Sequence, residues 1–347
     1  MKKRKNPLTV DDLLNKRLRP EEFATANATF TDTLGSMYSW APTIQTLANT
    51  FQGQTAEVYT CEFSPSGQHI ASAGAERSIY LWDTFSDGDN YGIIRAHLGA
   101  ILELHWSKDG SKVFTASADK TCGVFDAQTG ERLKSCKGHM SVVNSCSQSR
   151  QGPELLVSGS DDGSVKIWDL RAKNSIDSFD FQCPVTSVCF SDSSDLVFVG
   201  GANRNGIVAW DVRMKRVQFS LSGHTDTITG IRLSPDGTRL LSNALDNTLQ
   251  IWDVKPSFVD NRRQMIIEGA PHGLETHLVR PAWSRDGLMA GAGAGDGAVV
   301  IWNTFTGELV HKYTAHHAGV NEVDFHPTES IVISCSSDRT LFLEAIK

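Results

Sequence analysis

Several groups of residues in this chain are of types that do chemistry elsewhere. His272, Glu275 and His277 are potential metal ligands in one short run. Zinc held by such closely spaced histidines needs a helix to put both imidazoles on one face, and this run lacks a helical pattern. It reads as a loop. Gly291-Ala-Gly-Ala-Gly-Asp-Gly297 has the look of a phosphate cradle. That chemistry depends on the amides and dipole of a following helix. Here the glycines run into Ala298-Val-Val-Ile-Trp302, an apolar β-branched strand, so Asp296 belongs to a turn. Seven cysteines stand at 61, 122, 136, 146, 183, 189 and 335, with no Cys-x-x-Cys. An odd number on or beside strands reads as buried free thiols in a reducing compartment. No Gly-x-Ser-x-Gly occurs, and no Cys and His share a recognisable catalytic context. No enzyme, cofactor, metal or small-molecule substrate is expected.

The elements that carry these residues repeat. Leu156-Val-Ser-Gly-Ser-Asp-Asp-Gly-Ser-Val-Lys-Ile-Trp-Asp169 reads as two short strands around an Asp-Asp-Gly turn. Asp and Gly tolerate the backbone of a tight turn, and the second strand is β-branched and aromatic. Its closing dipeptide recurs as Trp82-Asp83, Phe125-Asp126, Trp168-Asp169, Trp210-Asp211, Trp252-Asp253 and Trp302-Asn303, with a degenerate seventh copy near Glu344. Spacings of 42 or 43 residues, with one of 50, match a four-stranded propeller blade. Gly138-His139 and Gly223-His224 precede two copies, and Ala96-His97 and Ala315-His316 precede two others.

This ladder resembles the WD40 family, which implies an all-β, seven-bladed propeller. The resemblance also implies that a loop His, a strand Ser or Thr, a turn Asp and the Trp form a buried hydrogen-bonded chain. Two blades keep all four: His139, Ser158, Asp162 and Trp168, and His224, Ser242, Asp246 and Trp252. Buried Asp and His are costly unless paired, so these residues read as structural. Elsewhere the pattern is broken by Phe125, by Gln54 and Glu76, by Gly200 and Arg204, and by Glu344; packing is expected to carry those blades.

Charge divides the chain in two. Residues 1–20 hold seven Lys or Arg against two acids, and the remainder sums to −12. Residues 1–43 are expected to be a flexible, largely disordered basic extension, and 44–347 the propeller. Lys2, Lys3, Arg4 and Lys5, then Lys16, Arg17 and Arg19, resemble a bipartite nuclear-import signal. A short helix over Thr9 to Arg19 suits the intervening residues. Strand-like Ile44 to Phe51 is expected to close the ring by supplying the outer strand that the last blade lacks. An acidic ring is a poor nonspecific binder of nucleic acid. No apolar run is long enough for a membrane helix.

Finer stretches resemble the WD-repeat subunits of the spliceosomal U5 small nuclear ribonucleoprotein (snRNP). They include Asp87-Gly-Asp-Asn-Tyr91, Gly152-Pro-Glu-Leu155, Leu241-Ser-Asn-Ala-Leu-Asp-Asn-Thr248 and His272-Gly-Leu-Glu-Thr-His-Leu-Val-Arg280. That resemblance implies a nuclear splicing scaffold without catalysis. Its partners would be the large U5 scaffold protein and other spliceosomal proteins, with RNA reached mainly through them. The alternative is a WD40 substrate receptor of a ubiquitin ligase, or an adaptor of another signalling complex. The partner rim is expected just after the loop His, at Leu98, Met140 and Thr225, and just before the turn Asp, at Asp161, Asn203 and Leu245. The longer connection Lys255 to Pro281 is a rival surface.

Overall fold

The computed structural model describes residues 48–86, 88, 90–202, 206–256, 262–273 and 277–346. The basic clusters at 2–5 and 16–19, the helix expected over 9–19, and Asn203 lie outside them. Within them the chain forms strands and no helix.

Twenty-eight strands make seven four-stranded antiparallel sheets among the described residues. Blade one is β2–β5 (residues 58–95), blade two β6–β9 (101–137), blade three β10–β13 (143–180) and blade four β14–β17 (185–222). Blade five is β18–β21 (228–268), blade six β22–β25 (282–314), and blade seven β26–β28 (320–345) joined by β1 (Ala48–Phe51). The innermost strands pack side by side around the ring, with β2 against both β6 and β26. Ala48 pairs with Glu344 and Phe51 with Leu341, so the first strand is the outer edge of the last blade. Phe51 is buried, edge-on to Trp82 at 5.7 Å.

The sequence pattern follows position in the blade. Inner strands are covered on both faces by neighbouring blades, so β14 and β15 are buried at every residue and carry no charged side chain. The outer strand β13 has one covered face, and its exposure alternates. Trp82, Trp168, Trp252 and Trp302 are fully buried between blades.

Six inner strands share a register shift near their first residue, as between Val143 and Ser145 or Val320 and Glu322. The shift leaves one residue out of the ladder. In four blades that residue bonds across to the next blade: Asn144 to the Val185 carbonyl at 2.8 Å, Thr186 to Ile228 at 2.5 Å, Thr229 to Val279 at 2.9 Å and Asn321 to Val58 at 2.7 Å. In blades one and two it is Tyr59 or Leu102. Gly230 is required by close approach, since a Cβ there would meet Pro281 Cδ at 2.6 Å.

The glycine run at 291–297 does not cradle a ligand in this fold. It ends β23 (Met289–Gly293), turns through Asp296 and enters β24 (Ala298–Asn303).

Candidate functional site

The hydrogen-bonded chains define one face of the propeller. In blade three Trp168 Nε1 donates to Ser158 Oγ at 2.8 Å, Ser158 Oγ lies 2.7 Å from His139 Nε2, and His139 Nδ1 lies 3.0 Å from Asp162. Blade five repeats this with Trp252, Ser242, His224 and Asp246 at 2.8, 2.7 and 3.0 Å. The donors run in one direction, from indole to hydroxyl to imidazole to carboxylate. Burial pushes both imidazoles below their ordinary pKa, against the pull of the aspartates. The order Ser–His–Asp is that of a hydrolytic triad, but Ser158 and Ser242 are fully buried and each is capped by a Trp. No substrate reaches them. The chain instead clamps a loop: Asp162 also accepts the Met140 amide at 2.7 Å, and Asp246 the Thr225 amide at 2.9 Å.

The incomplete blades are less dependent on packing than their sequences suggest. His97, Thr115 and Asp119 form the same chain at 2.7 and 2.9 Å, with Phe125 in place of the indole. His316, Ser334 and Asp338 do so in blade seven at 2.8 and 3.1 Å. In blade one Gln54 replaces His and reaches Ser72 at 2.8 Å, while Glu76 caps the Thr55 and Ala56 amides. Blade four corrects one assignment. Val197 pairs with Trp210, which places Val199, not Gly200, at the Ser position. Val199 is fully buried, and Trp210 stacks on Phe179 at 4.3 Å instead of donating into a chain.

The same face carries the expected rim. Leu98 is 87% and Met140 83% exposed, and Thr225 and Asp161 are exposed. One expectation fails. Leu245 is half-buried: the connection after blade five passes over its turn, where the His272 amide donates to Asn247 Oδ1 at 2.7 Å. That connection and Leu245 therefore share one surface and are not rivals. Asp161 is exposed as expected and also accepts from the buried Asn144 side chain at 2.6 Å.

Sequence reasoning missed the channel through the ring. Arg280 donates to Glu103 Oε1 at 2.8 Å and to the Asn144 carbonyl at 2.6 Å. Arg232 bonds Glu322 and lies 3.0 Å from both nitrogens of His105, which sits 3.4 Å from Glu103 and Glu62. Burial and Arg232 disfavour charge on His105, but Glu62 and Glu103 outweigh them and raise its pKa to about 9. Burial and Glu62 raise the Asp324 carboxyl to about 8. The available signal was one or two charged residues on otherwise uncharged inner strands: Glu62, Glu103, Arg232, and Glu322 with Asp324.

At the channel mouth on the His/Asp face lies a recess of about 280 Å³ lined by Tyr59, Ala100, Leu102, Leu278, Arg280 and Asn321. It opens where Tyr59 and Leu102 stand in place of the cross-blade hydrogen-bonding residues. No helix of the described residues is long and apolar enough to cross a membrane.

Comparison with known proteins places this architecture. The WD40 family (WD domain, G-beta repeat) matches residues 45–83, 88–126, 130–169, 215–253 and 307–343. The U5 small nuclear ribonucleoprotein 40 kDa protein of Dictyostelium discoideum is 44% identical, over 85% of this chain and 83% of its own length. The Homo sapiens protein of the same name is 44% identical over 85% and 82%. Pre-mRNA-splicing factor cwf17 of Schizosaccharomyces pombe is 40% identical over 84% and 85%. With its repeats, its closed ring and this likeness along most of its length, the chain belongs to the WD40-repeat family, in the group that includes the U5 small nuclear ribonucleoprotein 40 kDa proteins.

Proposed function

We propose that the chain is a non-catalytic scaffold subunit of the U5 snRNP, acting in pre-mRNA splicing through protein–protein contacts. The observation that carries this reading is 44% identity, across more than four-fifths of both chains, to proteins named for that particle. The geometry is in keeping with it. The Ser, His and Asp residues with catalytic chemistry in their types are consumed by loop clamps, and Leu98 and Met140 are held out from the surface by amides bonded to Asp119 and Asp162. Exposed apolar side chains on rigid loops serve binding better than catalysis. The main partner in this reading is the large U5 scaffold protein, with RNA reached chiefly through proteins, and the site of action is the nucleus. Purified chain mixed with that scaffold protein tests it. Direct association is expected, weakened at least tenfold by Leu98→Glu with Met140→Glu at unchanged thermal stability. No association by the unaltered chain contradicts it.

A further inference from the structure

Charge is unevenly spread around the His/Asp face. The turn residue after Glu76, Asp119 and Asp338 is Arg77, Lys120 and Arg339, on consecutive blades one, two and seven. These three have positive φ of 66°, 71° and 74°, a backbone that L side chains rarely adopt. Blades three and six place Gly163 and Gly297 at the same position, with φ of 79° and 81°. Three adjacent blades thus hold a cation where glycine is the comfortable residue. Arg95 and Lys137 end the outer strands β5 and β9 beside the same turns. All five cations are exposed, and no ion pair holds them within the described residues. Four carboxylates stand among them, half-buried and turned into the fold: Asp119 and Asp338 bond His and Thr, Glu76 bonds Thr55 and Tyr80, and Glu57 bonds Tyr59, so the cations are the charges that face outward. On blades three to five the face turns acidic at Asp161, Asp180, Asp226 and Glu268.

Leu98 and the recess walls Tyr59 and Leu102 fall within the basic sector. We propose that this sector docks an acidic segment of a protein partner, with carboxylates over Arg339, Arg77 and Lys120 and an aliphatic side chain against Leu98 and the recess. Charge complementarity selects an anionic partner. The apolar anchor selects protein over RNA, since Leu98 stands fully out from this face while the recess tyrosine, Tyr59, is partly buried with its hydroxyl bonded to Glu57. The inference rests on the assembly role proposed above and adds the chemistry of the contact.

The test uses the full chain in its purified assembly. A benzophenone cross-linker replaces Leu98, and the products are sequenced. The expected product is a protein segment rich in Asp and Glu with aliphatic residues. Replacing Arg77, Lys120 and Arg339 together by Gly is expected to lower the yield at least fivefold while leaving the melting temperature unchanged or higher. Replacing the exposed Lys108, Lys173 and Arg285 of the opposite face by Gln removes the same charge and is expected to change nothing. Cross-links to RNA, to a neutral or basic segment, or to nothing overturn the proposal, as does a yield insensitive to the glycine variant. A chain that enters an assembly other than a splicing particle overturns the assembly role, and the cross-link taken in that assembly still decides the docking surface.

Discussion

Asp246 shows what one residue does in this propeller. It accepts from His224, from the Thr225 amide, and from the Thr248 amide and hydroxyl at 3.0, 2.9, 3.0 and 2.7 Å. Asp246→Ala strands a buried imidazole and an amide, and is expected to cost about 2–4 kcal/mol in a denaturant titration. Asp161→Ala loses one bond from Asn144, whose other bond to Val185 remains. Its expected cost is about 1 kcal/mol, and equal losses for the two variants contradict the assignment. The channel gives a second residue-scale prediction. The His105 pKa of about 9 is above its ordinary 6.5, so its contribution is complete below pH 6.5 and lost as pH rises through 9. The Asp324 pKa of about 8 is above its ordinary 3.8, so its cost accumulates as pH rises from about 4 and is complete above about 8. Stability is therefore expected to fall from pH 7 to pH 9.5, with a shallower slope in His105→Gln. A flat or rising curve in the unaltered protein refutes that sign.

At the scale of elements, closure is the exposed weakness of a ring. Removing residues 1–52 takes β1 away and leaves β28 (Leu341–Ala345) as an unpaired edge next to the cavity left by Phe51. The whole thermal transition is expected to drop, whereas removal of residues 1–40 leaves β1 in place and the transition nearly unchanged. A longer truncation that melts like the intact chain shows that the first strand is dispensable. This pairing was legible because Ile44 to Phe51 is strand-like and stands before the first repeat, outside its period. Blade four was not read correctly. Residues 203–205 read Asn-Arg-Asn and give no Asp from which to count, so the Ser position slipped from Val199 to Gly200; counting back from Trp210 recovers it.

Across the whole molecule, what could be read was what repeats. Trp168, Ser158 and His139 announce themselves because Trp252, Ser242 and His224 stand at matching intervals. The channel network could not be read that way. Arg280 and Glu103 are 177 positions apart, and only ring closure brings them together. Leu245 was misjudged for a related reason, since the connection that covers it belongs to no repeat. The leader is a separate matter of charge. In cells lacking the partners, replacing Lys2, Lys3, Arg4, Lys5, Lys16, Arg17 and Arg19 by Ala is expected to move a tagged chain out of the nucleus. An unchanged nuclear signal there reduces the leader to a plain basic tail.

The central claim is that this propeller works as a protein-binding subunit of the U5 particle. Its most direct test is purification of the tagged chain at native abundance, followed by RNA sequencing and mass spectrometry of what accompanies it. The account predicts U5 small nuclear RNA and the large U5 scaffold protein in near-stoichiometric yield, with the RNA lost when that protein is removed. Recovery of ubiquitin-ligase subunits without small nuclear RNA would contradict it.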